Sequence, residues 1–510
     1  MVKHVLAKDE SGVRFSLPAP NFVNLSIPQS VSRATETLQN KGYLAYLVGG
    51  CVRDLLLDKE PKDWDITTNA TPEEIVDAFP KTFYENRFGT VTVVNEEEEV
   101  ESLKQLEITP FRLEAKYTDF RHPDTVTWGK TLADDLKRRD FTVNALAYDP
   151  VKQELVDLYH GQEDLKDKTL RAVGEAKERF TEDPLRMLRA IRFAAQLGFV
   201  INSDTAQAII ESAQLLKEVP TERVKDEFTK IIMSPEPMVG LIMANKMALL
   251  SHFLPELEEG IHVKQNGDHI YDVWEHTLRV LQHSADKNYG LEVRLAALFH
   301  DISKPRTRAW SEEKKDWTFY GHEVVSAKMA KVILNRLKFP VKTIENTTSL
   351  IRNHMFFSDI EKISLSAVRR IIRNVGRDHI WELMEVRMCD RIGMGRPKEE
   401  GYRLRKYESM IEEALRAPTS VGMLQIDGNE LTRETGLRPG PKIGQILHAL
   451  LEEVLDNPDL NTKEYLGKRA KELAILEDQE LEKLGEQGKE KKGEVEEQEL
   501  EKIRKKFKVN

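Results

Sequence analysis

Residues Leu47–Asp54 read Leu-Val-Gly-Gly-Cys-Val-Arg-Asp, and the triplet Asp63-Trp64-Asp65 follows nine residues later. A strand from Asp63 to Thr67 sends alternate side chains to opposite faces, so that the two aspartates share one face. Two carboxylates about 7 Å apart along a strand can share divalent cations. Mg²⁺ keeps water and substrate phosphate oxygens in its coordination shell, so such a site stays open to a nucleotide.

Each half of this pattern also has a plain structural explanation. Gly49-Gly50 can form an ordinary turn, and the two aspartates can cap a helix or face water. The two halves in this order favour a site that handles a nucleoside triphosphate with metal ions. Two such ions can activate a 3′-hydroxyl and stabilise a departing pyrophosphate.

Length, charge and cysteine usage set the bounds for the chain. Its 510 residues suggest about three domains. The net charge of −10 excludes a protein whose whole surface is positively charged, so any nucleic-acid contact must come from a local basic patch. The only cysteines, Cys51 and Cys389, argue against a disulfide framework or a thiolate zinc site and fit a cytoplasmic protein. Without a signal-like or spanning apolar run, we expect no export and no membrane insertion.

The secondary-structure pattern changes near residue 166. Before it, strand-like runs alternate with helical ones, and the strand candidates are Tyr43–Val48, Trp64–Thr67, Thr90–Val94, Gln105–Phe111 and Ala145–Tyr148. After it, long amphipathic stretches predict an almost entirely helical chain. The predicted class is a multidomain α+β protein, with an α/β head followed by all-α domains.

Changes in composition and segments rich in Pro or Gly give the predicted domain boundaries. They are an irregular lead-in (1–28), the α/β head (29–165), a helical neck and body (166–255), a second helical domain (262–395), a helical tail (396–475) and a charged C-terminal segment (476–510).

A basic segment, Lys137–Ala145, combines guanidiniums with an amide. Arg138 and Arg139 suit phosphate oxygens, because a guanidinium donates two parallel hydrogen bonds. Asn144 can bond a ribose hydroxyl. The alternative is a basic loop with a capping aspartate.

A second basic stretch follows Glu182-Asp183-Pro184, which predicts a helix start. Asp183 and Arg186 lie close enough to bind one planar ligand together. A carboxylate accepts hydrogen bonds and a guanidinium donates them, so the pair suits the base edge of cytosine or adenine and not that of guanine or uracil. The alternative is an intrahelical salt bridge between Glu182 and Arg186 on a wet surface.

The motifs, taken in order, resemble those of class II tRNA nucleotidyltransferases, the family of bacterial and eukaryotic CCA-adding enzymes and poly(A) polymerases. The matching residues, within about 29–230, are Gly49-Gly50-x-Val52-Arg53-Asp54, Asp63-x-Asp65, Arg138-Arg139-Asp140-Phe141-Thr142-x-Asn144-Ala145, Gly161-x-x-Asp164-Leu165 and Glu182-Asp183-x-x-Arg186. The resemblance implies a nucleotidyltransferase head with a mixed β-sheet, then a helical neck, body and tail.

The resemblance also implies roles for individual residues. Asp63 and Asp65 bind the catalytic Mg²⁺, Gly50 and Arg53 contact the triphosphate, and Asp183 with Arg186 selects the base. Further nucleotide contacts match Arg139, Arg189 and Arg192. Tyr117–Lys130 matches a flexible loop tied to the switch from C to A addition, and Glu114 is a candidate third carboxylate.

The implied function is template-independent addition of C and A to the tRNA 3′ end from CTP and ATP, with release of pyrophosphate. An alternative in the same family is a poly(A) polymerase or an enzyme that adds only the terminal A. The segment Glu85–Val91 lacks the basic pair before Phe88 that bacterial poly(A) polymerases tend to show, which favours tRNA.

A third group of residues predicts a metal site in the second helical domain. Its members are His276, His300, Asp301, His322, His354 and Asp390. Mixed imidazole and carboxylate ligands favour Mn, Fe, Ni or Zn. The pattern resembles an HD domain, a metal-dependent phosphohydrolase module, although Ser303 stands where the pattern usually has glycine. An HD fold can also be scaffolding, and a rival function for the whole chain is an HD-type nucleotide phosphohydrolase whose head only binds nucleotide.

Overall fold

The computed structural model describes most of the chain. The described residues are 6–8, 14–16, 21–85, 89–113, 127–267, 269–355, 364–396, 398, 401–415 and 421–509. They fall into two compact units, the first formed by residues 1–352 with 389–395 and the second by residues 353–388 with 396–510.

The strands, in chain order, are β1 (Leu6–Lys8), β2 (Arg14–Ser16), β3 (Asn21–Phe22), β4 (Ala45–Val48), β5 (Asp65–Thr68), β6 (Thr82–Glu85), β7 (Thr90–Val94), β8 (Gln105–Pro110), β9 (Arg112–Leu113), β10 (Thr127–Trp128), β11 (Leu146–Asp149), β12 (Glu154–Asp157), β13 (Thr169–Leu170), β14 (Val200–Ile201), β15 (Ala309–Ser311) and β16 (Asp316–Thr318).

The helices of the first unit are α1 (Gln29–Asn40), α2 (Gly50–Leu56), α3 (Pro72–Ala78), α4 (Leu132–Lys137), α5 (Gly161–Lys166), α6 (Ala176–Glu182), α7 (Leu185–Leu197), α8 (Ser203–Ser212), α9 (Thr221–Ile232), α10 (Pro237–Lys246), α11 (Leu250–Phe253), α12 (Pro255–Glu258), α13 (Val273–Asp286), α14 (Leu291–Phe299), α15 (Lys304–Thr307), α16 (His322–Arg336) and α17 (Val341–Asn353, whose last residue is counted with the second unit).

The remaining helices are α18 (Leu365–Val375), α19 (Ile380–Gly393, which spans the boundary at residue 389), α20 (Tyr402–Leu415), α21 (Gly428–Thr435), α22 (Pro441–Asp456), α23 (Lys463–Ala474) and α24 (Asp478–Phe507). Short 3₁₀ turns occupy Glu101–Leu103, Thr142–Asn144, Ala213–Glu218, Val421–Met423 and Pro458–Leu460.

The head is built on an eight-stranded sheet in the order β3-β12-β11-β4-β5-β8-β7-β6. Strands β5 and β8 run parallel, and every other neighbouring pair in this sheet is antiparallel. The predicted mixed sheet is confirmed, and β7 matches the predicted strand Thr90–Val94 residue for residue. The short β3, β6 and β12 carry too few alternating apolar residues for the pattern to reveal them.

One predicted strand begins in the wrong place. The expected strand from Asp63 starts at Asp65, and Asp63 lies in the bend before it. The antiparallel ladder with β4 ends at the pair Leu47 and Ile66. It stops because Gly49, with φ of 79°, turns the chain out of the sheet and into α2.

The helical prediction beyond residue 166 is confirmed, with two short exceptions. Strands β13 and β14 pair in parallel, and β15 and β16 form an antiparallel hairpin. The second unit, taken by itself, has an apolar core that includes Leu431, Leu450 and Leu466. The charged segment 476–510 forms the long helix α24 over Asp478–Phe507. Among the described residues, we find no helix that has both the length and the apolar character to cross a bilayer.

Strand β8 has one apolar face and one polar face. Leu106 and Ile108 are fully buried, whereas Glu107 between them points to the opposite face. The backbone N–H of Glu107 donates to the carbonyl of Trp64 at 3.2 Å. Burial of the apolar face therefore fixes the position of Glu107 beside Asp65.

We expect Ile108→Ala to lower the free energy of unfolding by about 2–5 kcal/mol, because it leaves a cavity in the centre of the sheet. Chemical denaturation followed by circular dichroism measures this. Val151→Ala, at a half-exposed position after β11, is the control and should change stability by less than about 0.5 kcal/mol. Equal effects of the two substitutions would contradict this description of the core.

Candidate nucleotide and metal sites

Three carboxylates lie around the start of β5, close enough for Asp63 and Glu107 to influence the charge of Asp65. Asp65 is paired in register with Glu107 of β8, and Asp63 precedes it in the bend. Burial raises the pKa of Asp65 to about 6; Arg139 opposes the rise, and the negative charges of Glu107 and Asp63 add to it. A cluster of this kind is short of positive charge, so it suits a cation with oxygen ligands.

Gly49 forms one wall of this cluster. A Cβ at this position would lie 2.8 Å from Nη1 of Arg139 and 3.8 Å from Oδ2 of Asp65. The backbone φ of 79° also disfavours any other residue. The diglycine turn therefore lets a guanidinium and a carboxylate approach the main chain together.

The two arginines of the basic segment share one buried anchor. Nε of Arg138 donates to Oδ1 of Asp135 at 2.9 Å, and Nη2 of Arg139 donates to Oδ2 at 3.0 Å. Burial acts to raise the pKa of Asp135, but the positive charges of Arg139 and Arg138 outweigh it and lower that pKa. Asp135 is thus held ionised and orients both guanidiniums.

A chain of hydrogen bonds connects the diglycine helix to α7. Nη1 of Arg53 donates to Oδ1 of Asn144 at 2.7 Å, and Nδ2 of Asn144 donates to Oδ1 of Asp140 at 3.1 Å. The other oxygen of Asp140 accepts from Nε of Arg189 at 2.8 Å. Burial acts to raise the pKa of Asp140, but Arg189 and Asn144 dominate and hold it far below the usual range.

The base-selection candidates Asp183 and Arg186 have different hydrogen-bond partners. Asp183 accepts two hydrogen bonds from Arg223 of α9, at 3.2 and 2.8 Å. Arg186 donates to Glu182 at 2.6 Å and to the carbonyl of Arg138 at 2.8 Å. The alternative, a salt bridge between Glu182 and Arg186, is confirmed as a contact. Its predicted setting is wrong, because α6 ends at Glu182 before α7 begins, and the Arg186 side chain is only 11% exposed.

A second cluster lies in the first unit, among α13, α14, α16 and the end of α19. Nε2 of His276 lies 3.1 Å from Nε2 of His300, 3.1 Å from Oδ2 of Asp301 and 3.4 Å from Oδ1 of Asp390. His276, His300 and Asp390 are buried and converge within the range that one ion can bridge. These nitrogen and oxygen donors fit a transition metal.

Hydrogen bonds to the backbone orient two of these imidazoles. Nδ1 of His300 pairs with the carbonyl of Ala297 at 2.8 Å, and Nδ1 of His322 with that of Phe319 at 2.7 Å. Because a carbonyl only accepts, each ring carries a proton on Nδ1 and turns Nε2 toward the cluster. Burial lowers the pKa of His300, but Asp301 and Asp390 raise it to about 10.

The departure at Ser303 is accommodated by two partners. Its Oγ donates to the carbonyl of His322 at 2.9 Å and lies 2.9 Å from Oγ of Ser326. The hydroxyl is therefore satisfied in a fully buried position beside the cluster. His354 is counted with the second unit, so its place in the metal site stays a prediction.

Comparison with known families agrees with this architecture. Family models match the poly A polymerase head domain at residues 45–171, a probable RNA- and SrmB-binding site of polymerase A at 198–261, and the HD domain at 273–402. The CCA-adding enzyme of Leuconostoc mesenteroides is 34% identical over 436 residues, which cover 85% of this chain and 94% of the relative.

The chain belongs to the family of CCA-adding enzymes.

It is therefore a nucleotidyltransferase with an HD domain. The CCA-adding enzyme of Lactobacillus helveticus is 33% identical over 440 residues, covering 86% of this chain and 95% of that one. The crystal structure of the Bacillus stearothermophilus CCA-adding enzyme in complex with CTP is similar at a TM-score of 0.58 and 27% identity, covering 87% and 96% of the two chains.

Sequence reasoning about this CCA-adding family member missed Glu107. The sequence does point to this residue, since Glu107 is the one acidic residue inside the predicted strand Gln105–Phe111. The candidate third carboxylate Glu114 lies outside the described residues, as do residues 117–126 of the predicted loop and residues 86–88 of the segment Glu85–Val91. Arg223, which holds Asp183, carries no signal in spacing, because α9 lies far along the chain.

We expect Gly49→Ala to reduce nucleotide incorporation by about 100-fold, because the new methyl group displaces Arg139. Gly42→Ala is the matched control: Gly42 also has a positive φ, of 91°, but nothing lies within 4 Å of its Cβ position. Both variants should melt at a lower temperature, and only Gly49→Ala should lose activity. Similar activity losses would show that strain alone explains the effect.

We expect His300→Ala to lose the transition metal that co-purifies with or is added to the full chain, because two buried imidazoles and two carboxylates converge at this point. Mass spectrometry of the metal content measures this. The control is His262→Ala, whose side chain is 93% exposed. Unchanged metal content in His300→Ala would refute the site.

Proposed function

We propose that this protein is a template-independent tRNA nucleotidyltransferase that adds C and A to the tRNA 3′ end from CTP and ATP. The RNA 3′-hydroxyl attacks the α-phosphate, and pyrophosphate leaves. The observation that carries the proposal is the carboxylate cluster around Asp65 beside the diglycine turn and Arg139. It occurs in a chain whose relatives over most of their length are CCA-adding enzymes.

The carboxylates suit Mg²⁺, which prefers hard oxygen ligands and few of them from the protein. We assign Asp63 and Asp65 as its ligands, with Glu107 as the neighbouring third carboxylate. When bound, the ion supplies a Lewis acid for the hydroxyl and the phosphates. Burial, with repulsion from Glu107 and Asp63, raises the pKa of Asp65, and a bound cation would stabilise its ionised form.

The arginines supply positive charge for the triphosphate. Arg139 projects next to Gly49 and Asp65, and Arg138 shares its anchor, Asp135. The remaining nucleotide-binding candidates are Gly50, Arg53, Asn144, Arg189 and Arg192. Asn144 already uses its oxygen and one N–H in the hydrogen-bond chain. It therefore influences nucleotide binding indirectly, by positioning Arg53, as well as through any direct contact with the ribose.

Asp183 and Arg186 select the base in this proposal. The carboxylate of Asp183, fixed by two hydrogen bonds from Arg223, still has free lone pairs for an exocyclic amino group. Arg186 must exchange a contact with Glu182 for the ring nitrogen of the base. Cytosine and adenine satisfy both groups, whereas guanine and uracil place a donor against the guanidinium.

The RNA partner is the 3′ end of tRNA, bound through phosphates and shape more than through sequence. The match at 198–261 to a probable RNA-binding model supports a contact in the helical neck and body. The domain boundaries predicted above are kept as part of this proposal. We place the protein in the cytoplasm, because both cysteines are free thiols and its substrate is tRNA.

A second activity is supported by the histidine and aspartate cluster of the HD domain. Two imidazoles, held at Nδ1 by backbone carbonyls, turn Nε2 toward buried carboxylates, and these atoms could serve as ligands of the metal in a phosphohydrolase. The metal is Mn, Fe, Ni or Zn by the chemistry of its ligands. This activity accompanies the nucleotidyl transfer and does not replace it.

The test is to supply a tRNA transcript lacking CCA with CTP, ATP or both and to sequence the products. We expect complete CCA only when both nucleotides are present. Asp63→Ala and Asp65→Ala should reduce incorporation by about three orders of magnitude. Asp77→Ala, at an exposed position of α3, should not.

Hydrolysis of a simple phosphomonoester with added Mn²⁺ or Ni²⁺ separates the two activities. The Asp63 and Asp65 variants should keep hydrolysis, whereas His300→Ala should lose it and keep incorporation. Incorporation that survives loss of both aspartates would refute the proposal. Long A tails would instead identify a poly(A) polymerase.

A further inference from the structure

One aromatic ring in α7 faces three guanidiniums. The Cζ atoms of Arg53, Arg189 and Arg192 lie 5.3, 5.5 and 4.2 Å from the ring centroid of Phe193. All three distances lie within the range of an attractive cation–π interaction. Arg53 belongs to the diglycine helix and the other two to α7, so the ring connects the head to the neck.

The ring is held in place by its surroundings. Phe193 is 7% exposed, and its ring packs against that of Phe141 at 5.9 Å with an interplanar angle of 82°. Phe141 follows directly after Asp140, which binds Arg189. The ring is therefore fixed relative to both the hydrogen-bond chain and the arginines.

The three positive charges are crowded, and each has one carboxylate partner. Arg53 pairs with Asp54, Arg189 with Asp140, and Arg192 with Glu227 at 3.1 Å. Nε of Arg192 is buried and has no hydrogen-bond partner among the described residues. Burial lowers the pKa of Arg192 to about 10; Glu227 opposes this, while the positive charges of Arg189 and Arg53 add to it.

An aromatic face differs from the carboxylate partners of these guanidiniums. It attracts cations through its quadrupole but carries no net charge, so it adds no repulsion toward an incoming anion. A fourth carboxylate at the same place would make the local charge negative. The ring can thus hold the guanidiniums together without adding negative charge.

We propose that Phe193 is a positioning residue that holds Arg53, Arg189 and Arg192 as one preassembled cationic group for the triphosphate of the incoming nucleotide. This inference rests on the proposed function, since it concerns the same nucleotide. Phe193 touches the arginines and not the reacting atoms. Its contribution is to nucleotide binding, through preorganisation of the charges.

The test replaces Phe193 in the full chain with phenylalanine carrying one, two or three ring fluorines. Fluorine withdraws electron density from the π face and changes the ring shape little, so it weakens a cation–π contact while preserving packing. We expect the KM for CTP to rise stepwise, to about tenfold with three fluorines. We expect kcat to change by less than about twofold.

The same series at Phe228 of α9 is the control. Phe228 is fully buried and packs edge-on against Phe253 and Phe339, and no described guanidinium lies over its ring. Its fluorination should leave the KM unchanged. Melting temperatures of both series check that the fold is retained.

A KM for CTP that does not change along the Phe193 series, or that rises equally along the Phe228 series, would overturn the inference. Phe193 would then have only a packing role. The dissociation constant of CTP, measured by calorimetry on the same variants, decides the question without turnover. If the unmodified chain fails to extend tRNA, the proposed function fails, and a stepwise loss of CTP affinity at Phe193 still supports this inference.

Discussion

The proposed nucleotide site depends on one constraint: negative charges must lie close together on a sheet whose other face is apolar. The parallel pairing of β5 with β8 places Asp65 beside Glu107, and burial of Ile66 and Ile108 on the opposite face prevents either strand from slipping by one residue. Burial, with repulsion from Glu107 and Asp63, raises the pKa of Asp65 to about 6. The ionised form of Asp65 is therefore unfavourable here, and a nearby positive charge would stabilise it.

Buried ion pairs surround this cluster and give the arginines their positions. Asp135 orients the arginines of the basic segment, Asp140 holds Arg189, and Asp183 is held in turn by Arg223. Breaking one such pair leaves an unpaired charge in a low-dielectric environment, so each anchor restricts its partner to one geometry. The HD cluster follows a different chemistry. There, imidazoles held by backbone carbonyls turn Nε2 toward carboxylates, and this mixed donor set suits a transition metal better than Mg²⁺.

Residue patterns predicted much of this arrangement. The alternation of apolar residues predicts the central strands, because that property is local. The metal site at Asp63 and Asp65 stays a prediction, and Asp63 does not share a strand with Asp65. The start of β5 was misplaced because it depends on the turn at Gly49 of a neighbouring strand. The burial of Arg186 and the partners Glu107, Arg223 and Phe193 depend on how distant segments pack, and no local spacing encodes them. The role of Glu107 was accessible in principle from its position in a buried strand.

The central claim is that Asp63 and Asp65 bind metal beside the diglycine turn. The most direct measurement is a crystal structure of the protein with CTP and Mn²⁺, with the ions located by anomalous scattering. We predict a peak about 2.1 Å from carboxylate oxygens of both aspartates, next to the CTP phosphates and Gly49, with Mn²⁺ in the place of Mg²⁺. A complex in which CTP binds but the only manganese lies in the HD cluster, with the Asp63 and Asp65 side chains turned apart, would contradict it.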